Sequence, residues 1–401
     1  MQCIKRVFLA SLLVSAAGMS PTLAQPTLPS TLLSARRGDV VRVDSLGVMN
    51  RAQLAEAVDF LPERVAVHGE VALYRIVYVT ALHDRPVQAS GLLVVPQGRT
   101  TMRGVVAFLH GTNVTAALAP SQPDRVDGNE EAAVFGGNGY VVVLPDYIGL
   151  GESTDRQAYM LAQPQVDATV DLLRAVRRVA GGMEVRWNPS LMLLGFSQGG
   201  YNVAALHRAL EGLPLDGYSL RGSAAVAGAY ALRREALPYA LRNDGVGYVT
   251  FTVAAYAAFY GQPLESAFLP AVAARLPALL DGSHQVDEFE PVLQEGFSGV
   301  FRADFLQDLH EQRSNWFTDA LESNSVDAWV PRAPMRLYNG ADDSTVSPHD
   351  AEAFHNYARA RGGAVSLYSF GQIGHEESAA RMYEPVLAWF DSLSARPAPC
   401  H

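Results

Sequence analysis

The chain has 401 residues, 49% hydrophobic and 18% charged, with 41 acidic against 31 basic residues and a net charge of -10. Such a balance belongs to a packed globular protein of one large or two smaller domains and excludes a disordered chain. An acidic chain without a Lys/Arg cluster argues against a nucleic-acid partner.

At the N-terminus Lys5 and Arg6 precede an apolar run, Val7 to Met19, and then small residues up to Ala24. A positive start, a short apolar centre and small residues at the cut are the layout of a secretory signal peptide over residues 1–24. The peptidase would read Thr22 and Ala24. The run is shorter than the roughly 20 residues a membrane span needs, so no integral span is expected in the mature protein. The other reading of this run is a first core helix. Cleavage removes Lys5 and Arg6 and no acid, which takes the net charge from -10 to -12. It also removes Cys3, and Cys400 alone can form neither an intramolecular disulfide nor a cysteine-based metal site. The destination expected is the periplasm or the medium.

After a Pro/Ser/Thr-containing leader, Val71 to Thr80 and Ser90 to Pro96 are rich in β-branched and aromatic residues and read as an antiparallel pair joined through His83 to Gln88. Gly104 to His110 and Tyr140 to Pro145 are continuous apolar runs, the pattern of strands buried on both faces. In the helical run Pro164 to Ala180, Val166, Val170, Leu173, Val176 and Val179 share one face. Strands follow at Ser190 to Gly195, Gly222 to Gly228, Pro334 to Gly340 and Ala364 to Phe370. Strand–helix alternation predicts an α/β fold: a mostly parallel central sheet flanked by helices. Between residues 230 and 330 the alternation gives way to helical segments interrupted by Pro238, Pro263, Pro270, Pro277 and Pro291. That length exceeds an ordinary crossover and predicts a helical cap inserted into a core of residues 25–229 and 331–401.

Ser197 stands in Gly195-Phe196-Ser197-Gln198-Gly199, between a strand and a helix. The pentapeptide alone is a weak signal, but its context is the strand–turn–helix that exposes a strained serine above a sheet. A serine hydroxyl needs a base, and His375 follows the last predicted strand in a short loop, where it can reach the same sheet edge. His207 lies on the helix after Ser197 and should point away; His349 and His355 belong to a later helical run, and His284 and His310 to the cap. The imidazole in turn needs a carboxylate. Asp342 and Asp343 both follow a strand; Asp343 is favoured, and either can serve. The order Ser, Asp, His along the chain fits strands laid down sequentially. An oxyanion site would use the backbone N–H of Gln198, at the helix start, and that of Thr112 in the turn His110-Gly111-Thr112, which His110 braces.

Other signals are weaker. Gly149-Leu150-Gly151 begins like a dinucleotide fingerprint, but Thr154 replaces its third glycine, so the turn after Asp146 and Tyr147 reads as loop structure beside the site. Asn113-Val114-Thr115 matches a glycosylation acceptor but adjoins the oxyanion turn. No spacing suggests a catalytic metal, and no cofactor is expected.

Together, the segments around His110-Gly111-Thr112, Pro145 to Ser153, Gly195 to Gly200, Tyr338 to Val346 and Ile373 to His375 resemble the capped α/β-hydrolases, and more narrowly secreted bacterial esterases and lipases of the secretory-lipase type. The resemblance runs from about Leu73 to the C-terminal helix. It implies Ser197 as nucleophile, Asp343 as acid, His375 as base, and the Thr112 turn with Gln198 as oxyanion hole. Many relatives have proline directly after the valine of the acid loop; here Ser347 stands there and Pro348 follows. The expected activity is hydrolysis of a small ester or lipid through an acyl-enzyme. The rivals are a serine exopeptidase, with Asp287, Glu288 and Glu290 holding a substrate amine, and a non-catalytic binding protein. The aromatics Tyr256, Phe259, Tyr260, Phe268, Phe289 and Phe297 either enclose an acyl or aryl group or pack the cap's own core.

Overall fold

The structure is a computed structural model that describes residues 35–123, 130–182, 186 and 188–395. The leader with its cut after Ala24, the segment 25–34 and both cysteines lie outside the described residues.

The strands are β1 (Val40–Met49), β2 (Val71–Leu82), β3 (Arg85–Pro96), β4 (Val105–Leu109), β5 (Val141–Pro145), β6 (Ser190–Phe196), β7 (Ser219–Val226), β8 (Met335–Asn339) and β9 (Val365–Ser369). They form one sheet in the order β1-β2-β3-β5-β4-β6-β7-β8-β9. The six strands from β5 to β9 in that order run parallel, whereas β1, β2 and β3 join antiparallel. All of β4 and β5 and the middle of β6 are buried, which is why these segments are apolar without alternation.

Two features depart from the sequence reading. The β2–β3 connection is only His83-Asp84, both at positive φ (49° and 57°), so the strands continue through most of the segment expected to be loop. The edge strand β1 has no counterpart among the expected strands. Its Arg42, Asp44 and Gly47, together with register shifts on either side of Val43 to Ser45, blur the alternation that marks a strand.

Helices cover both faces. Those around the site and in the insertion are α1 (Ala162–Ala180), α2 (Gln198–Gly212), α3 (Leu237–Arg242), α4 (Val246–Tyr260), α5 (Pro270–Leu279), α6 (Ala303–His310), α7 (Trp316–Asn324), α8 (Pro348–Arg359), α9 (His375–Arg381) and α10 (Tyr383–Ser394). Leu172 and Leu173 of α1 and Val203 and Leu206 of α2 pack into the core on one face, and Val386, Trp389 and Phe390 of α10 into the core on the other. The Tyr78 hydroxyl of β2 donates to Ala168 O at 2.8 Å, which fixes α1 on the sheet.

From the end of β7 to the start of β8 the described chain adds no strand to the sheet and carries α3 to α7. The prolines expected to interrupt this region mostly begin its helices. Pro238, Pro270 and Pro291 occupy first turns, where no intrahelical hydrogen bond is lost, and Pro277 sits inside α5. Tyr256 of α4 donates through its hydroxyl to Met160 O (2.7 Å), and the Ala116 N–H donates to Gly282 O (2.8 Å), so the insertion is tied to the sheet's loops. No helix among the described residues is long and apolar enough to cross a membrane.

Candidate active site

Ser197 sits between β6 and α2 with φ 58° and ψ -118°, a region costly for a residue with a side chain. Its N–H donates to Val226 O at 2.9 Å, locking the turn to the neighbouring strand. Gly199 makes this possible: a Cβ there would lie 1.7 Å from Leu109 O, so only glycine lets the first turn of α2 rest on the end of β4.

His375 is the first residue of α9, where the sequence reading had a loop, and it is buried. Its Nε2 accepts from the Ser197 hydroxyl at 2.9 Å, and its Nδ1 donates to Asp343 Oδ2 at 2.7 Å. The Phe196 ring lies 4.7 Å from the imidazole and limits its tilt. The other carboxylate oxygen, Asp343 Oδ1, accepts the N–H groups of Thr345 (2.9 Å) and Val346 (2.8 Å). One oxygen is thereby anchored while the other faces the imidazole. Of the two acids that the sequence left open, the buried Asp343 meets the imidazole and Asp342 is exposed.

The turn Gly111-Thr112 passes beside Ser197. The N–H groups of Thr112 and Gln198 have no hydrogen-bond acceptor among the described residues, and Gln198 is the first residue of α2, where the helix presents its positive end. An anion forming on a group bonded to Ser197 would find two donors there. His110 braces this turn: its ring stacks on Tyr147 at 4.1 Å, and the Tyr147 hydroxyl donates to His110 O at 3.0 Å. Beneath it Asp146, fully buried, accepts from the Ser90 hydroxyl (2.5 Å), the Ser121 hydroxyl (2.5 Å) and the Ser121 N–H (2.8 Å). Burial raises the Asp146 carboxyl, and these hydrogen bonds oppose the rise.

A pocket of about 100 Å³ opens on Ser197. The core contributes Thr112, Tyr159, Met160 and Val346; the insertion contributes Leu237, Tyr239, Tyr248, Thr252 and Phe317. The Tyr239 hydroxyl donates to Asp343 O at 2.6 Å, joining the insertion to the acid's loop. Burial first, and the Asp343 charge second, raise the Tyr239 hydroxyl, so it remains a donor. The six aromatics singled out in the sequence do not line this pocket. Tyr256 and Phe268 are fully buried, Phe268 stacks on Phe301 at 5.0 Å, and Phe259 stacks on His83 at 4.0 Å. They pack the insertion or clamp it to the β2–β3 turn.

Among the described residues, no hydrogen bond joins His207, His284, His349 or His355 to Ser197. His207 is buried between Ser223 Oγ (2.6 Å) and Glu211 Oε1 (3.0 Å), and burial lowers its pKa. His349 meets Glu352 at 3.0 Å, and His284 meets Asp281 at 3.2 Å and the Ser283 hydroxyl at 3.1 Å, all local contacts.

No protein-family profile matches the chain, and no curated protein matches it. Among solved structures it is similar to a candidate hydrolase from Legionella pneumophila, with 23% identity over 90% of this chain and 99% of that one and a TM-score of 0.84. It is also similar to the ligand-bound rice cell wall degrading esterase LipA from Xanthomonas oryzae (22% identity, 90% and 98% covered, TM-score 0.79). Candida antarctica lipase A in its closed state is more distant, at 14% identity, 92% and 86% covered and a TM-score of 0.66. With its mostly parallel sheet between helical layers, the chain has the α/β-hydrolase fold.

Proposed function

We propose that the protein is a secreted serine hydrolase that cleaves carboxylic esters through Ser197, His375 and Asp343. The reading is carried by the hydrogen-bonded line from the Ser197 hydroxyl through both ring nitrogens of His375 to a carboxylate fixed by two amides. Ser197 Oγ attacks the ester carbonyl while His375 Nε2 takes its proton, and the carbonyl oxygen becomes an anion facing the N–H groups of Thr112 and Gln198. Collapse breaks the bond to the alcohol, which leaves with the proton from Nε2. Water then attacks the acyl-serine, again giving its proton to Nε2, and the acid departs as Ser197 recovers its hydrogen. Residues 230–330 act as a cap over the pocket, which Leu237, Tyr239, Tyr248, Thr252 and Phe317 help to line.

Esters are favoured over N-terminal peptides by the lining of the pocket, which among the described residues contains no carboxylate side chain to hold a substrate amine. The esterase and lipase of like fold add support. Export rests on the pattern of residues 1–24, and mass spectrometry of the protein from the medium or periplasm should find Gln25 first.

Replacing Ser197 with alanine should leave the protein folded, abolish its labelling by a fluorophosphonate and lower para-nitrophenyl butyrate turnover by about 10⁴-fold or more. Hydrolysis at the wild-type rate by the folded variant would end the proposal. Equal or faster turnover of aminoacyl para-nitroanilides would replace esterase by peptidase.

A further inference from the structure

A second cavity, about 210 Å³, lies on another flank of α4 from the Ser197 pocket. Helix α4 is apolar on nearly every side, as expected of a helix with neighbours all round. Tyr248, Val249 and Thr252 face the first pocket, whereas Phe251, Ala254, Ala255 and Ala258 line the second. The three alanines leave room that larger side chains would fill, and α5 supplies apolar wall across from them. The pockets are divided by Tyr159 and Phe251, packed edge to face at 5.0 Å.

Arg156, exposed at the rim, lines this mostly apolar cavity together with the polar side chains of Gln157 and Gln262. Its Nη1 donates to Pro277 O (2.8 Å) and Leu280 O (3.4 Å), which holds the guanidinium in place. Its Nε and Nη2 have no protein partner, and no carboxylate pairs with it, among the described residues. The Gln262 carboxamide also lines the cavity without a partner among the described residues.

An apolar trough with one held, unpaired guanidinium is complementary to an anion with a hydrocarbon tail. We propose that this cavity binds a medium-chain aliphatic carboxylate, its head paired with Arg156 and its chain laid along the alanine stripe of α4. A neutral alcohol of equal length keeps the apolar contact and loses the charge-assisted hydrogen bonds. A short carboxylate keeps the head and loses the tail. The inference is independent of the esterase reading, because it concerns binding outside the Ser197 pocket.

Calorimetric titration of the Ser197→Ala protein with decanoate tests it without turnover. One saturable site is expected, with decanol and acetate each at least about tenfold weaker, the worth of one hydrogen bond to a charge or of the buried chain. Arg156→Gln should weaken decanoate binding at least about tenfold, and Ala255→Trp, which fills the trough, should abolish it. Thr252→Trp, which narrows the first pocket, should leave it intact. Melting curves establish that each variant is folded, and Ala258→Phe, at an exposed position, replaces Ala255→Trp if the latter is not. Undiminished binding in folded Arg156→Gln or in the filled variants, loss of binding in Thr252→Trp, decanol binding equal to decanoate, or no binding at all would each overturn the proposal.

Discussion

Ser197 and His375 are 178 residues apart in the chain and 2.9 Å apart at Oγ and Nε2. The contact depends on strand order: β6 ends beneath Ser197, and β8 and β9 follow beyond β7, so the loops after β8 and β9 descend on the same sheet edge. Asp343 belongs to the first of these loops and His375 to the second. Replacing Asp343 with Asn should lower kcat by about 10³–10⁴-fold with little change in KM, because the amide cannot hold the ring in the tautomer that accepts from Ser197. Asp342→Asn, at the exposed neighbour, should stay within about twofold. Steady-state kinetics on both variants decide the matter, and equal losses would show that the choice of acid is wrong.

At Thr112 the side chain and the backbone are expected to matter differently. The hydroxyl is engaged with the Tyr159 hydroxyl at 2.8 Å, whereas the N–H has no acceptor among the described residues. Thr112→Val keeps the N–H and should cost less than about tenfold in kcat/KM. Thr112→Pro removes the N–H and should cost about 10²–10³-fold in kcat. If proline is tolerated, the anion is stabilised elsewhere.

Much of this arrangement is legible in the sequence for identifiable reasons. The runs Val105 to Leu109 and Val141 to Pro145 announce buried parallel strands because both faces are covered, and Ser197 stands out through the glycines its tight turn demands. His375 and Asp343 are found because each follows a recognisable strand. Tyr159, Tyr239 and Tyr248 are not found. An isolated aromatic carries no spacing that tells which side it faces, and it is tertiary packing that turns these three towards Ser197. For the same reason the sequence leaves open whether Tyr256 and Phe268 line the pocket or pack the insertion's core, and both are core. β1 was hidden for a different reason, since an edge strand with exposed Val41, Val43 and Val48 beside Arg42 and Asp44 lacks a clean apolar face.

Gly151 is held at φ +59°, and a Cβ there would lie 2.2 Å from Asp146 Oδ2 and 2.4 Å from Ser90 Oγ. The site's loop is therefore built around a glycine pressed on a buried carboxylate. Gly151→Ala must both adopt a costly backbone conformation and displace hydrogen bonds to Asp146, so a destabilisation of about 2–4 kcal/mol is expected in urea unfolding. An effect below about 0.5 kcal/mol would mean the loop relaxes without disturbing Asp146.

Asp350, in the first turn of α8, is fully buried and accepts the N–H groups of Tyr230 (2.8 Å) and Ala231 (3.0 Å), where the chain leaves the sheet for the insertion. Burial pushes its carboxyl up from 3.8 to about 7; the two amides pull it down, and the charges of Asp327 and Glu235 add to the rise. Between these values the folded protein holds a proton that the unfolded chain has released, so this group's contribution to stability falls as pH rises through the window. Its full size over the window is on the order of 4 kcal/mol. Asp350→Asn keeps an oxygen for one amide and cannot titrate. Urea unfolding of both proteins from about pH 4 to pH 8 should show the variant gaining on the wild type as pH rises, with most of the gain below about pH 7. Parallel stability curves would mean that Asp350 ionises alike in both states and that the two amides compensate its burial.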